Sequence, residues 1–409
     1  MSSITATAGS PARWAVLGVC VLGTVLVYIH RLGFAPLVPT FVTELGLTYG
    51  AAGTLMASYF WTYIAVQLPM GAITDRFGAR RTMLGSLALL GVGVVAFVLS
   101  RGYADSLLAR ALVGLGSAGF WLPSLRLIQE WFPAHERGRA TGICSAGGGI
   151  GGTAALLLLP VLVEPLGWRW AYAATLLPWL AMVALTAWLV RAGPLATPAS
   201  PAGGEGPVGG LTRAARAPGV AGLCVAAFTS YAAFVGLITW LPAFLVRQEG
   251  MSPSQAGLVT SLVTAGTMLS WPFAGVLSDR LGRRKPIYLV SQALGAAGCL
   301  ALAWLVPGAG LGASLAAAGF IGLALGGMVL PIVMLIDFVP PRLVGIGSGL
   351  LNSCWLLGGL VAPGALGRLI DATGSFAAAF VGCAILAALA LGAVALVTEP
   401  VAASRPGRG

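Results

Sequence analysis

Apolar runs of about 20 residues, the length a helix needs to cross hydrocarbon, recur along the whole chain between short polar breaks. Twelve such runs lie at roughly 14–40, 50–73, 82–100, 105–130, 139–163, 170–190, 219–244, 254–277, 286–306, 312–338, 343–367 and 375–397. They are too long for strands, and each predicts a membrane-spanning helix. The longest polar interruption, "RAGPLATPASPAGGEGPVGGLTRAARAP" at 191–218, is rich in Pro, Gly and Ala and reads as a cytoplasmic linker. It divides the chain into a bundle of six predicted helices over 1–190 and a second over 219–409.

The polar breaks repeat across that divide. "GLTYGAAG" at 46–53 returns as "GMSPSQAG" at 250–257, and "GAITDRFGARR" at 71–81 returns as "GVLSDRLGRRK" at 275–285. "EWFPAHERGRATG" at 130–142 returns as "DFVPPRLVGIGSG" at 337–349. Three landmarks in one order make this a six-plus-six internal repeat, an arrangement common among secondary transporters. The expected fold is an all-α membrane protein of two pseudo-symmetric six-helix bundles.

Composition agrees: 58% of residues are hydrophobic and 9% charged, against about 25% charged in an ordinary soluble domain. The excess of 23 Lys and Arg over 12 Asp and Glu does not point to nucleic acid, because the cations are scattered between apolar runs. With both termini in the cytoplasm, sixteen of them fall in inner loops and tails and four in outer loops. That is the positive-inside pattern, and it predicts a multi-pass protein of a bacterial cytoplasmic membrane. The apolar run near the N-terminus lacks a cleavage site and reads as a retained span. Six cysteines within apolar runs and two distant histidines suggest neither a disulfide framework nor a metal site. No cofactor is expected, and no enzyme.

The spacing G-x-x-x-D-R-x-G-x-R-R at 71–81, with Lys285 in the last place of the second copy at 275–285, resembles the signature loop of the major facilitator superfamily, and the match covers the whole chain. Gly71 and Gly275 would permit close helix contact, and Gly78 and Gly282 would turn the chain. Asp75 and Asp279 would meet a helix N-terminus or nearby arginines. The resemblance implies a conformational latch of the outward-facing state, made by Gly71, Asp75, Arg76, Gly78, Arg80, Arg81, Gly275, Asp279, Arg280, Gly282 and Arg284, with Glu130 and Arg137. The alternative is that these charges only set topology.

A finer resemblance runs from "YIHRLGFAPLVPTF" through "ARALVGLGSAGFWLPSLRLIQEWFPAHERGRATGI" to "GWRWAY" at 167–172. It is similar to the anion:cation symporters, which include organic-acid and hexonate carriers. Their span 1 and span 4 arginines map onto Arg31 and Arg110, which implies binding of an organic anion. Two departures stand out. His30 occupies the position before Arg31, and Ser117 the position seven after Arg110, where relatives commonly carry carboxylates linked to proton coupling.

The residues themselves carry the argument further. All twelve carboxylates fall in loops, tails or span ends, so an arginine inside a span should face a cavity where a substrate anion or water can meet it. On span 4, Arg110, Gly114, Ser117, Trp121 and Ser124 recur at helical spacing and share a face. An ion pair of Arg110 with Asp105 is the rival reading. Arg126 is expected in the inner charge network with Glu130. Among the polar-tipped aromatics and amides of other spans, Tyr59, Tyr63, Tyr231 and Asn352 are the best substrate contacts. His30 is either a proton-coupling group or a neutral, hydrogen-bonded one. The glycines of "GLGSAG" at 114–119 and "GGGIGG" at 147–152 lack a strand-turn-helix context and are expected to serve close helix packing.

The expectation is therefore a secondary transporter of a small organic anion, a carboxylate first of all, acting as a monomer in the lipid bilayer with or without a co-transported proton. The alternatives are export of a neutral or amphipathic compound, or a transporter-like sensor.

Overall fold

The computed structural model describes residues 11–191, 193–194, 207–340 and 343–398. Residues 192 and 195–206 of the linker read at 191–218 lie outside them, as do Glu205, Arg342, Glu399, Arg405 and Arg408 of the charge tally. Among the described residues every regular element is helical. In hydrocarbon the backbone has no other partner than itself, and the helix satisfies it within one segment.

The helices are α1 (Ala12–Leu32), α2 (Val38–Glu44), α3 (Tyr49–Phe77), α4 (Ala79–Leu99), α5 (Tyr103–Ser117), α6 (Trp121–Trp131), α7 (Ala134–Ala173) and α8 (Leu176–Leu189) in the first half. There follow α9 (Pro207–Arg216), α10 (Val220–Arg247), α11 (Pro253–Leu281), α12 (Lys285–Trp304), α13 (Gly310–Ala324), α14 (Leu330–Met334), α15 (Val344–Thr373) and α16 (Phe376–Ala395). Among the described residues, nine stretches are long and apolar enough to cross a membrane, where twelve runs were expected. Two of those runs fall in one 56-residue stretch, Ala134–Leu189. Two more, α3 and α11, are 29-residue helices carrying many hydroxyls, among them Thr54, Ser58 and Thr62 or Thr260, Ser261 and Thr264.

Several helices break where a continuous span was expected. The first ends at Gly33, and a 3-10 turn at Ala35–Leu37 leads into α2. Pro36 and Pro39 lack the N–H groups that would extend the ladder. The fourth run breaks between α5 and α6, next to Gly116 and Gly119. α7 is interrupted at Gly167, whose φ of 76° is open to glycine alone at little cost. Residues 207–216, read as linker, form α9, with Ala214 buried and Arg213 exposed.

The chain divides into two units. The first holds Met1–Gly203 and Ile238–Thr264, the second Gly204–Leu237 and Ala265–Gly409. Within the first unit α1 packs along α7, and α5 packs on α3 and α4. Glycines make the approach possible. A Cβ on Gly147 would lie 2.7 Å from the Val21 carbonyl oxygen, and one on Gly151 would collide with the Val25 backbone. Gly114 likewise abuts the Tyr59 backbone. The second unit repeats the device: Gly358 on α15, the counterpart of Gly151 in the internal repeat, meets the Phe228 and Ala232 backbone of α10. Its core gathers Val220, Leu223, Tyr288, Leu330, Met334 and Leu351.

Gly71 and Gly275 behave differently from expectation. A Cβ on Gly71 would come no nearer than 4.0 Å to Leu122, and one on Gly275 would meet nothing within 4 Å. Neither makes a close helix contact in this arrangement.

Candidate functional site

His30 and Arg31 occupy the last turn of α1. That position suits cations, because the carbonyl end of a helix carries partial negative charge. Successive residues on a helix diverge by about 100°, and here they part toward different neighbours. The Arg31 guanidinium turns to α3: its Cζ lies 4.5 Å from the ring centroids of both Tyr28 and Tyr63, 5.7 Å from Tyr59 and 5.9 Å from Phe60. The Tyr28 and Tyr59 hydroxyls interact with it as well. Arg31 is 3% exposed. Each such ring contributes up to about 2 kcal/mol when the cation is desolvated.

His30 turns to α7. Its Nδ1 lies 3.3 Å from the Tyr172 hydroxyl, and the two rings meet edge-on at 5.6 Å. The imidazole is fully buried, and its Nε2 has no hydrogen-bond partner among the described residues.

Arg110 on α5 joins these two directions. Its Nη1 donates to the His30 carbonyl oxygen at 2.7 Å and to the Tyr172 hydroxyl at 3.4 Å. Its Cζ lies 5.3 Å from the Phe34 ring and 5.4 Å from the Tyr59 ring. Tyr59 thus faces two guanidinium groups. Arg110 is fully buried, and its Nε and Nη2 have no hydrogen-bond partner among the described residues. The rival ion pair with Asp105 is not formed; that carboxylate accepts from the Arg101 backbone N–H at 3.3 Å. A buried guanidinium with such an open edge can pair with an anion, since leaving those donors unmet costs about 1–3 kcal/mol or more.

The first unit therefore brings together Arg31, Arg110, Tyr59, Tyr63, His30 and Ser117. The Ser117 hydroxyl donates to Val113 O at 2.8 Å and lies beside the Tyr59 hydroxyl. Trp121, placed on the same face by spacing, begins α6 beyond the helix break and is half-buried. Tyr231 and Asn352 belong to the second unit. There the Tyr231 ring lies 4.2 Å from Trp355, and Trp271 lies 6.5 Å from Trp355. Both indole N–H groups lack a hydrogen-bond partner among the described residues. Asn352 is half-buried on the same helix as Trp355. Tyr28, Phe34 and Tyr172 were not singled out from sequence. Tyr28 stands three residues before Arg31 on one helix face, a usable signal; Tyr172 is 142 residues from His30 and leaves no local trace.

The two D-R loops differ in their partners. In the first, Gly78 takes φ 79° between α3 and α4, and Asp75 is ion-paired with Arg126. Arg126 also holds Glu130 at 2.8 Å, and Glu130 accepts from the Gly193 backbone N–H at 3.2 Å. Arg137 donates to the Phe132 and Gln129 carbonyls, both at 3.0 Å, and Arg80 donates to Ala187 O. Arg76 lies 5.4 Å from the Phe77 ring, and Arg81 is exposed. In the second loop Gly282 has φ 61° and Arg284 is ion-paired with Asp337. Asp279 and Arg280 are exposed, and Asp279 makes no ion pair among the described residues. Aligning Leu122-Pro123 with Leu330-Pro331 puts Met334 where the first half has Arg126, which explains the difference.

Comparison with known proteins follows the same lines. The sequence model described as Major Facilitator Superfamily matches residues 20–252 and 223–409. A probable sulfoacetate transporter of Cupriavidus necator is 25% identical, over 95% of this chain and 96% of its own. A probable galactarate/D-glucarate transporter of Escherichia coli is 25% identical, over 85% of both. A crystal structure of a bacterial homologue of the human lysosomal transporter Spinster, inward-facing and occupied, superposes with a TM-score of 0.79 at 19% identity, covering 95% of this chain and 97% of the other.

Proposed function

Because this chain belongs to the Major Facilitator Superfamily and is a membrane transporter rather than an enzyme, we propose that it moves a small organic anion by alternating access, with Arg31 and Arg110 as its anion-binding groups. The observation that carries the proposal is the Arg110 guanidinium, buried without a carboxylate partner among the described residues and open at Nε and Nη2. Arg31 supplies a second cation at the shared Tyr59 ring, within a cage of tyrosines. A cation at mid-membrane costs about 2.5–3.5 kcal/mol on insertion scales. A carboxylate or sulfonate offsets that cost by a charge-assisted pair. Relatives are named for sulfoacetate, for galactarate and D-glucarate, and for D-galactonate, all acidic small molecules. That likeness supports the same substrate class here.

Ser117, Trp121, Tyr59 and Tyr63 are the remaining contacts proposed from the first unit, and Tyr231 and Asn352 from the second. His30 is the titratable group proposed for coupling, because it stands in the cluster where relatives commonly carry an acid. The D-R loops, with Asp75–Arg126–Glu130 and Arg284–Asp337, are proposed as the latch that holds one state of the cycle. The protein is read as a monomer with twelve crossings in two bundles, 1–190 and 219–409. The placement of sixteen cations against four supports the reading that both termini lie in the cytoplasm, at a bacterial inner membrane.

The test is uptake into proteoliposomes of sulfoacetate, D-glucarate, D-galactonate and short mono- and dicarboxylates, with and without a pH gradient. Wild type should concentrate at least one of them, and Arg31→Ala should lose it. Uptake of an anion by Arg31→Ala with unchanged affinity overturns the anion site.

A further inference from the structure

Two oxygens, from α1 and α7, meet around one nitrogen of Arg110 on α5. An arginine Nη can only donate, so the His30 carbonyl at 2.7 Å and the Tyr172 oxygen at 3.4 Å are its acceptors. With Nδ1 of His30 unprotonated, the single phenolic proton of Tyr172 goes to it at 3.3 Å. The imidazole is left as the neutral tautomer with its proton on Nε2. The chain of bonds runs from Arg110 through Tyr172 to His30, and every member is buried.

The consequence falls on the other side of the guanidinium. Gripped at Nη1, and with the Phe34 and Tyr59 rings beside its Cζ, it keeps its plane. The Nε and Nη2 edge remains, and it has no hydrogen-bond partner among the described residues. That edge carries two parallel N–H groups, the fork that matches both oxygens of a carboxylate or sulfonate.

We propose that Tyr172 is a positioning residue for transport: its hydroxyl holds Nη1 of Arg110 against α1 and so presents the Nε/Nη2 edge to one acidic group of the substrate. This rests on the reading of Arg110 as an anion-binding group. Tyr172 does not touch the substrate. Its phenol sets where the fork points, and His30 sets the phenol by accepting its proton. The ring of Tyr172 has a separate packing role against Phe97, 4.7 Å away, and that role survives removal of the hydroxyl.

The experiment compares wild type, Tyr172→Phe, Arg110→Lys, Arg110→Ala and the double variant Tyr172→Phe/Arg110→Lys in proteoliposomes. The probe is whichever of sulfoacetate, D-glucarate, D-galactonate and the short mono- and dicarboxylates the wild type takes up fastest. Tyr172→Phe should raise KM about tenfold while leaving the maximal rate within about twofold, with an unchanged melting temperature in detergent. In the Arg110→Lys background, where no fork exists, the same change should leave KM within about twofold. If Tyr172→Phe leaves KM unchanged while Arg110→Ala abolishes uptake, the positioning role falls and the anion site stands. An equal KM penalty in both backgrounds also overturns it, since the hydroxyl would then act independently of Arg110. If wild type takes up none of these anions, the short mono- and dicarboxylates included, or Arg110→Ala keeps the wild-type KM, the anion-site reading falls and the positioning role with it.

Discussion

The backbone carbonyl of His30 accepts a 2.7 Å hydrogen bond from Nη1 of Arg110, eighty residues further along the chain. It is one of the last four carbonyls of α1, which a helix ending at Gly33 leaves without a helical N–H. The break in α1 therefore does more than bend the span. It frees an acceptor that anchors the arginine of α5 beside Arg31's helix.

Arg110→Lys keeps the charge and loses the planar fork. A lysine ammonium is a compact point charge and cannot serve the carbonyl and a bidentate anion together. Uptake affinity should fall about tenfold or more, on the order of 1–3 kcal/mol for one charge-assisted bond. Initial-rate measurements over a range of anion concentrations check this; a KM within twofold of wild type would remove the fork from the account.

His30→Gln keeps an oxygen that can accept from Tyr172 and removes the titratable ring. The KM should stay within about twofold, while stimulation of uptake by an inward proton gradient should disappear. Uptake at a series of imposed pH gradients provides the readout, and stimulation that persists in the variant excludes His30 from coupling.

The two D-R loops should respond unequally. Asp75→Asn breaks the ion pair with Arg126 and should slow maximal uptake about fivefold, the effect of about 1 kcal/mol on the balance of states. KM should hardly move, because Asp75 stands about three turns along α3 from Tyr63 and its partner is Arg126. Asp279→Asn should change the rate much less, since Asp279 makes no ion pair among the described residues. Equal losses in both variants would contradict the asymmetry read from Arg126 and Met334.

Gly114→Ala pushes a methyl group into the Tyr59 backbone. Overpacking of this kind costs about 1–3 kcal/mol, and it displaces the ring that both arginines share. Gly71→Ala has room, and exchanging a helical glycine for alanine favours the helix by about 0.5–1 kcal/mol. Thermal unfolding in detergent should show a lower midpoint for Gly114→Ala and an equal or higher one for Gly71→Ala.

Much of this was legible in the residues. Hydropathy marks helices in a membrane because the bilayer allows the backbone few other choices, and the recurring glycine and aspartate of the D-R loops mark the two turns. Arg31 and Arg110 stand out because a cation in an apolar run is costly enough to need a reason. Gly147, Gly148, Gly151 and Gly152 pack on α1 as their small size suggests. Other features were not local. Gly71 sits in the same motif as Gly78, yet only the latter is demanded by the backbone, and the pattern does not separate a packing glycine from a tolerated one. The helix break before Trp121 interrupts a face that ideal 3.6-residue periodicity draws as continuous. Tyr172 reaches His30 and Arg110 only through tertiary packing, so no spacing announces it. α9 is hidden in a Pro- and Gly-rich stretch whose composition argues for linker, although Leu211, Ala214 and two arginines give it two faces.

The most direct measurement is equilibrium binding of a transported anion to purified protein, wild type against Arg31→Ala and Arg110→Ala, in detergent at fixed salt. The account predicts that each alanine variant weakens binding at least tenfold while the protein stays folded. Wild-type affinity in both variants would contradict it.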